Sequence, residues 1–317
     1  MTKAPKRTAA RGRALTLKTR RGAGAGAIAR ILEPLGVDEF LSSYFERRPL
    51  VVRGTPEKFA HVFTPDQFKF GLDRVTEIRA VFPGLWQATI HPGDIKEMVN
   101  AGASICVTGL EEAHPRLLKL AEAIKKELGY AGTVSFRAYF SPPNAGFDLH
   151  YDARVATTLQ IAGSKRWWFS DEPAAAFPER NSPRQLKILK REHNAPEPER
   201  MRSVLLRPGD LLCLPAGAWH RARAKNASLS LNLAFDHHGA GVFDVIVNAL
   251  GRKLRSDPAW RAPLPTTPGA GDGTLPPAVA AILRERVDAM RSALLEMRDS
   301  DAALARAWAG SLSPDFP

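Results

Sequence analysis

The chain has 317 residues, 44% of them apolar, with a formal net charge of +12 and two cysteines. That length and apolar content allow one or two domains around a sizeable core and exclude a chain disordered throughout; no apolar run approaches the ~20 residues of a membrane-spanning helix. Cys106 and Cys213 lie far apart, each inside an apolar stretch, which reads as buried thiols in a reducing cytoplasm and argues against a disulfide or a zinc site.

Residues 1–26 hold Lys3, Lys6, Arg7, Arg11, Arg13, Lys18, Arg20 and Arg21 and no acid, eight of the twelve net charges. With little apolar periodicity, this reads as a disordered basic tail. A solvated, solubilising tail is the plain reading; contact with RNA or another polyanion is the sharper one, and a transit peptide the third. No apolar signal-peptide core is present. The high isoelectric point therefore belongs mostly to the tail and does not make the body a nucleic-acid-binding domain.

Residues 27–130 are expected to form an α+β lead-in. Ile28, Ile31, Leu32 and Leu35 recur at helical spacing before Gly36. A second helix runs from Asp38 to Phe45, and Pro49 leads into a strand over Leu50–Arg53. Pro65 opens a short helix to Leu72, and Ile78–Phe82 reads as a strand. Gly93 and Asp94 open a helix ending near Gly102, and Ser104–Val107 is a strand. A long amphipathic helix from Pro115 to Gly129 is expected to bury Leu117, Leu118, Leu120, Ala121, Ile124 and Leu128.

After Gly129 the pattern changes. Strands are expected at Val134–Ser141, Val155–Ala162, Lys165–Phe169, Ser203–Arg207, Leu211–Pro215, Trp219–Ala224 and Ser228–Phe235, separated by turns such as Pro-Gly-Asp. Many short strands with Gly/Pro turns specify a sandwich or barrel, the double-sheet jelly roll, or cupin, being one type. The fold class is therefore mainly β with flanking helices, a barrel over residues 131–238. Residues 170–202, polar and rich in Pro, Arg and Glu, read as an insertion over the barrel mouth. Residues 239–317 form a C-terminal helical region, with helices over Val242–Leu254, Ala278–Arg298 and Asp301–Ala309 around a Pro/Gly linker.

The chemistry centres on His150 and Asp152, in Phe-Asp-Leu-His-Tyr-Asp ahead of a strand. Residues two apart in an extended segment point to one side, so an imidazole and a carboxylate meet one point. His220, in Pro-Ala-Gly-Ala-Trp-His, starts a later strand, and a jelly roll brings distant strands together across the 68 residues from Asp152. Two imidazoles and one carboxylate form the facial triad of non-haem Fe(II) oxygenases, leaving positions open for a bidentate keto acid and O2. Taken singly, His150 and Asp152 also read as a hydrogen-bonded loop pair, and His220 as a satisfied barrel histidine. Lys165 shares a strand face with Trp167 and Phe169, which is unusual unless its ammonium meets a carboxylate; the plain alternative is a hairpin tip pointing to water. Asn232 reads either as a cavity residue or as a strand-edge asparagine. His237 and His238 face opposite ways in an extended segment and read as surface residues.

The stretch from Tyr139 to Asp152 (Tyr-Phe-Ser-Pro-Pro-Asn-Ala-Gly-Phe-Asp-Leu-His-Tyr-Asp), with Leu159-Gln160 and Gly163-Ser-Lys165-Arg-Trp, resembles the JmjC/cupin oxygenases, above all their ribosomal-oxygenase branch. The resemblance covers about residues 36–236. It implies a jelly-roll core, Fe(II) on His150, Asp152 and His220, and 2-oxoglutarate and O2 as co-substrates. It also implies that Lys165, fifteen residues after His150, holds the far carboxylate of 2-oxoglutarate, with Tyr139 beside it. The product is then a hydroxylated side group of a protein or peptide, with a small-molecule substrate remaining open. Members of that branch carry a dimerisation region and a winged-helix domain after the barrel. Residues 236–317 are too few for both, so the C-terminal helices suit a homodimer contact alone, on the apolar spacing of Val279, Ile282, Leu283, Val287 and Met290. Two other readings stay in play: a cupin metalloenzyme that uses no keto acid, and a non-catalytic cupin-like binding module.

Overall fold

Alternation along the barrel strands decides the layering. In the computed structural model, which describes residues 26–312 apart from 83, 85–86, 184–194 and 269–272, twelve strands form two antiparallel sheets. The basic tail lies outside the described residues except for Gly26, as does the centre of segment 170–202. The strands are β1 (Leu50–Val52), β2 (Glu77–Val81), β3 (Gln87–Thr89), β4 (Ser104–Thr108), β5 (Thr133–Ser141), β6 (Gly146–His150), β7 (Val155–Ala162), β8 (Lys165–Pro173), β9 (Arg202–Leu206), β10 (Leu211–Leu214), β11 (Ala218–Ala224) and β12 (Ser228–Asp236). The larger sheet runs β1-β10-β7-β12-β5-β4-β2-β3 and the smaller β6-β11-β8-β9. The two sheets make a jelly roll, with the lead-in strands β2, β3 and β4 extending the larger one.

On β12, Leu229, Leu231, Leu233 and Phe235 lie on one face and Ser228, Ser230 and Asn232 on the other. The neighbouring strand matches residue for residue, Leu231 opposite Ala138 and Asn232 opposite Arg137. The apolar face packs outward against the lead-in, where Ile28, Ile31, Phe40, Leu117 and Ile124 are fully or almost fully buried with Phe136 and Phe235 in one core. Burying each such residue contributes roughly 1.5–3 kcal/mol. The polar face is left for the barrel interior. A second core, with Phe169, Leu206, Leu212 and Leu214, closes one part of the interior between the sheets.

The helix Pro115–Leu128 ends where Gly129 takes a left-handed φ of 58°, the conformation glycine adopts at least cost. Three local differences from the sequence reading have physical causes. Phe147–His150 is itself strand β6, paired with β11, rather than a lead-in to a strand. Strand β8 runs past Phe169 to Pro173 because β11 continues beside it as far as Ala218. The three-residue β3 is held by β2 alone, across the short connection 82–86, and is too short to show a strand period of its own.

C-terminal helices span Val242–Arg255, Pro277–Arg298 and Asp301–Ser311, with Leu250, Ala293 and Met297 buried between them. Among the described residues no helix is long and apolar enough to cross a membrane.

Candidate metal centre

β11 lies between β6 and β8, and its register slips on both sides of His220. Such bulges re-aim a side chain. His220 sits directly opposite His150 on β6, with ring centroids 4.2 Å apart. Asp152 follows two residues past the end of β6, and its backbone is pinned from several sides. Gly217 N–H donates to the Asp152 carbonyl at 2.8 Å. Tyr151 N–H donates to Ser182 Oγ at 3.1 Å and Ala153 N–H to Asn181 Oδ1 at 2.8 Å. The result brings one ligand atom each from His150, Asp152 and His220 within 4.8 Å of one another.

The imidazoles are oriented by their own backbones. His150 Nδ1 lies 2.7 Å from the Asp148 carbonyl and His220 Nδ1 2.8 Å from the Ala218 carbonyl. A carbonyl only accepts, so Nδ1 carries the proton and Nε2 presents its lone pair. Burial, and then repulsion from His150, lowers the His220 pKa to about 4, so the ring is neutral at pH 7. Burial pushes the Asp152 carboxyl up, but Arg154, His150 and His220 outweigh it and hold the pKa at about 2. Two imidazole Nε2 atoms and one carboxylate on one side of a cavity suit a divalent first-row metal with open positions. The donor set, the fixed tautomers and the geometry fit such an ion.

The cavity beside the three ligands has a volume of about 130 Å³. Lys165 lies at its far end, 1% exposed, and pairs with Ala224 on β11, four residues from His220. Its Nζ donates to Ser141 Oγ at 3.0 Å and sits 5.7 Å from the Phe147 ring centroid. Burial lowers its pKa to about 7, the nearby Cys106 opposing only in part. The ammonium therefore points inward, not to water. Tyr139 lines the same cavity, its ring 5.2 Å from Phe147, and burial, then Cys106, raises its hydroxyl pKa to about 12.

Asn232 is 4% exposed, lines the cavity, and donates to Thr158 Oγ1 at 3.4 Å. Because β12 lies between β5 and β7, the strand-edge reading of Asn232 is incorrect. His237 and His238 lie beyond the end of β12 and stack on each other at 5.9 Å, away from the triad. Sequence reasoning missed Arg79, Arg137 and Arg154, all of which line the cavity. A signal existed: Arg137, Tyr139 and Ser141 put polar groups at every second position of an otherwise apolar strand.

A model of the JmjC domain matches residues 113–241. The uncharacterised protein YxbC of Bacillus subtilis (strain 168) is 28% identical over 258 residues, covering 73% of this chain and 76% of that protein. The bifunctional lysine-specific demethylase and histidyl-hydroxylase NO66 of Aedes aegypti is 25% identical over 226 residues, covering 66% of this chain and 34% of the relative, so the chain spans about a third of that relative's length. The structure of the Escherichia coli ribosomal oxygenase YcfD in complex with cobalt and 2-oxoglutarate shares the fold at a TM-score of 0.55 and 17% identity, over 88% of this chain and 71% of that one. The stretch that matches the JmjC domain holds the jelly-roll strands that bring His150, Asp152 and His220 together, and the chain is similar in sequence to NO66 and in fold to the ribosomal oxygenase YcfD.

Proposed function

We propose that this protein is an Fe(II)- and 2-oxoglutarate-dependent oxygenase that hydroxylates a protein or peptide side chain, with His150, Asp152 and His220 as the iron ligands. The observation that carries the reading is Lys165. A buried ammonium with no carboxylate partner is costly, and this one shares a cavity with a three-sided metal-ligand set. A dicarboxylic keto acid that meets the metal at one end and Lys165 at the other removes that cost.

When bound, iron with 2-oxoglutarate and O2 converts a substrate C–H to C–OH as the keto acid becomes succinate and CO2. The protein's own residues do the rest. His150 and His220 offer Nε2, held by their carbonyl partners. Asp152 stays ionised across the working pH range. Lys165 takes the far carboxylate as a charge-assisted pair and Tyr139 lines the path between them. A protein substrate is supported by the activities that NO66 and the ribosomal oxygenase YcfD carry in their names.

The deciding experiment is an anaerobic titration with Fe(II) and then 2-oxoglutarate, followed by the visible charge-transfer band of the chelate. The band should appear in the native protein and vanish in His150→Ala. Bound iron without a band would indicate a cupin metalloenzyme that uses no keto acid; no bound metal would indicate a binding module.

Three further assignments belong to this reading. The reaction is placed in the cytoplasm, in keeping with the free thiols of Cys106 and Cys213. The C-terminal helices form a homodimer contact through exposed apolar residues, Phe243 at 74% and Val287 at 63% exposure among them. The basic tail is a solubilising segment, with RNA or another polyanion as the partner that a salt-dependent binding assay would reveal.

A further inference from the structure

The cavity holds more positive charge than iron and 2-oxoglutarate use. Arg79 has its counter-charge in Glu77, 3.1 Å away, and Arg154 has Asp152 at 3.4 Å. Arg137 has no ion pair and no hydrogen bond among the described residues, and its Nε is buried without a partner. If the oxygenase reading holds, the metal's two charges and Lys165 are balanced by Asp152 and the two carboxylates of the keto acid. Asp152 is then committed to the metal. Arg137 and Arg154 are then left without an anion inside the cavity: the charges of Glu111 and Asp236 act on them from outside its lining, and neither forms an ion pair with them among the described residues.

Position separates these arginines from the co-substrate. Lys165 meets Ser141 at one end of β5. Arg137 lies four residues back along that strand, roughly 13 Å at about 3.3 Å per residue. It lines the cavity together with His150, Asp152 and His220, which at that distance from Lys165 puts it toward the metal end. Around it the cavity wall carries further buried polar atoms without partners: Arg154 Nε, Asn232 Oδ1 and Ser230 Oγ. Buried polar atoms are nearly always satisfied, and here several orphans line one cavity. An Nε–H and an Nη–H of one guanidinium form a planar fork that matches a carboxylate.

We propose that Arg137, assisted by Arg154, forms a substrate subsite for a carboxylate at the metal end of the cavity, so that the group presented for hydroxylation is acidic or adjoins an acidic group. The proposal rests on the oxygenase reading and deepens it. The carboxylate has two possible sources, an acidic side group or the C-terminus of a peptide.

The test is calorimetric and needs no turnover. The full-length protein is loaded with Mn(II) and the unreactive keto-acid analogue N-oxalylglycine, then titrated with blocked amino acids. N-acetyl-aspartyl and N-acetyl-glutamyl amides represent acidic side groups, N-acetylglycine a C-terminus, and the asparaginyl, glutaminyl and arginyl amides are controls. At least one carboxylate probe should bind tenfold or more tightly than its neutral counterpart, and which one does so identifies the source. Arg137→Gln should erase the preference and Arg137→Lys restore part of it, while affinity for 2-oxoglutarate moves less than twofold in both. Equal binding of acidic and neutral probes overturns the proposal. So does a loss of 2-oxoglutarate affinity in Arg137→Gln matching that of Lys165→Ala, which would assign Arg137 to the co-substrate. The titration is repeated without metal and analogue. A carboxylate preference in a protein that forms no iron–keto-acid chelate sinks the oxygenase reading and leaves the anion subsite standing.

Discussion

Lys165 concentrates the residue-scale physics. Its ammonium is buried with a hydroxyl partner, Ser141 Oγ, and a ring face, Phe147, but, among the described residues, no carboxylate. Desolvation therefore pulls its pKa down to about 7. A bound carboxylate favours the charged form, so binding of 2-oxoglutarate above pH 7 must take up a proton. The sign follows: with the free-protein pKa below the ordinary lysine value, the neutral form accumulates as pH rises through 7, and the competent form is lost. The 2-oxoglutarate dissociation constant should rise with pH above 7, by up to about tenfold per unit. Lys165→Ala should weaken binding by about 10- to 100-fold, the worth of a hydrogen bond to a charged group, and flatten that pH dependence. A calorimetric pH series on both proteins checks this; a flat native profile between pH 7 and 8.5 would overturn the lowered pKa, and unchanged affinity in Lys165→Ala would remove Lys165 from the site.

At the scale of elements, the centre depends on how closely β6 and β11 approach. Gly146 opens β6 where a Cβ would lie 2.0 Å from the Ala222 carbonyl oxygen of β11. That is backbone, so it cannot swing aside. Gly146→Ala should force β6 away from β11 and misplace His150 relative to His220, although residue 146 touches neither ring. The expected result is at least a tenfold loss of Co(II) affinity together with a lowered melting temperature. Unchanged affinity would mean that the segment after β6, fastened by Ser182 and Asn181, positions the triad by itself. The same pair of strands shows why the ligands are legible in sequence and their surroundings are not. His150 and Asp152 are two residues apart and announce themselves. Arg154, two residues after Asp152, is near it by spacing alone, whereas Arg137 becomes a neighbour of the triad only after β5, β7 and β12 have paired.

For the whole molecule, the outer face of the larger sheet is covered by the lead-in helices, whereas the C-terminal helices leave much of their apolar surface open. Val242, Phe243 and Val287 are 81%, 74% and 63% exposed, an exposure that monomers seldom tolerate in contiguous patches. The double variant Phe243→Glu/Val287→Glu should convert a dimer to a monomer in a light-scattering concentration series while keeping the iron chelate band, since neither residue lines the cavity. A native protein that remains monomeric across the series would exclude the dimer.

Sequence alone determined the β-rich core, most strand positions, the long helix Pro115–Leu128, and the residues His150, Asp152, His220, Lys165 and Tyr139 as candidates. Alternation, turn residues and the spacing of His150 and Asp152 are local properties of a polypeptide and carry the elements and that pair; Tyr139 was indicated only by the family resemblance. Tertiary structure decided which face of each strand became the interior. The apolar faces of β5 and β12 went to the lead-in helices and the polar faces to the cavity, placing Asn232 and Arg137 inside. It also decided that Lys165 points inward and that His150 stands opposite His220. Those outcomes depend on which strands pair and in what register. Pairing is settled by burial and hydrogen bonding between segments far apart in the sequence, so no window of sequence contains them.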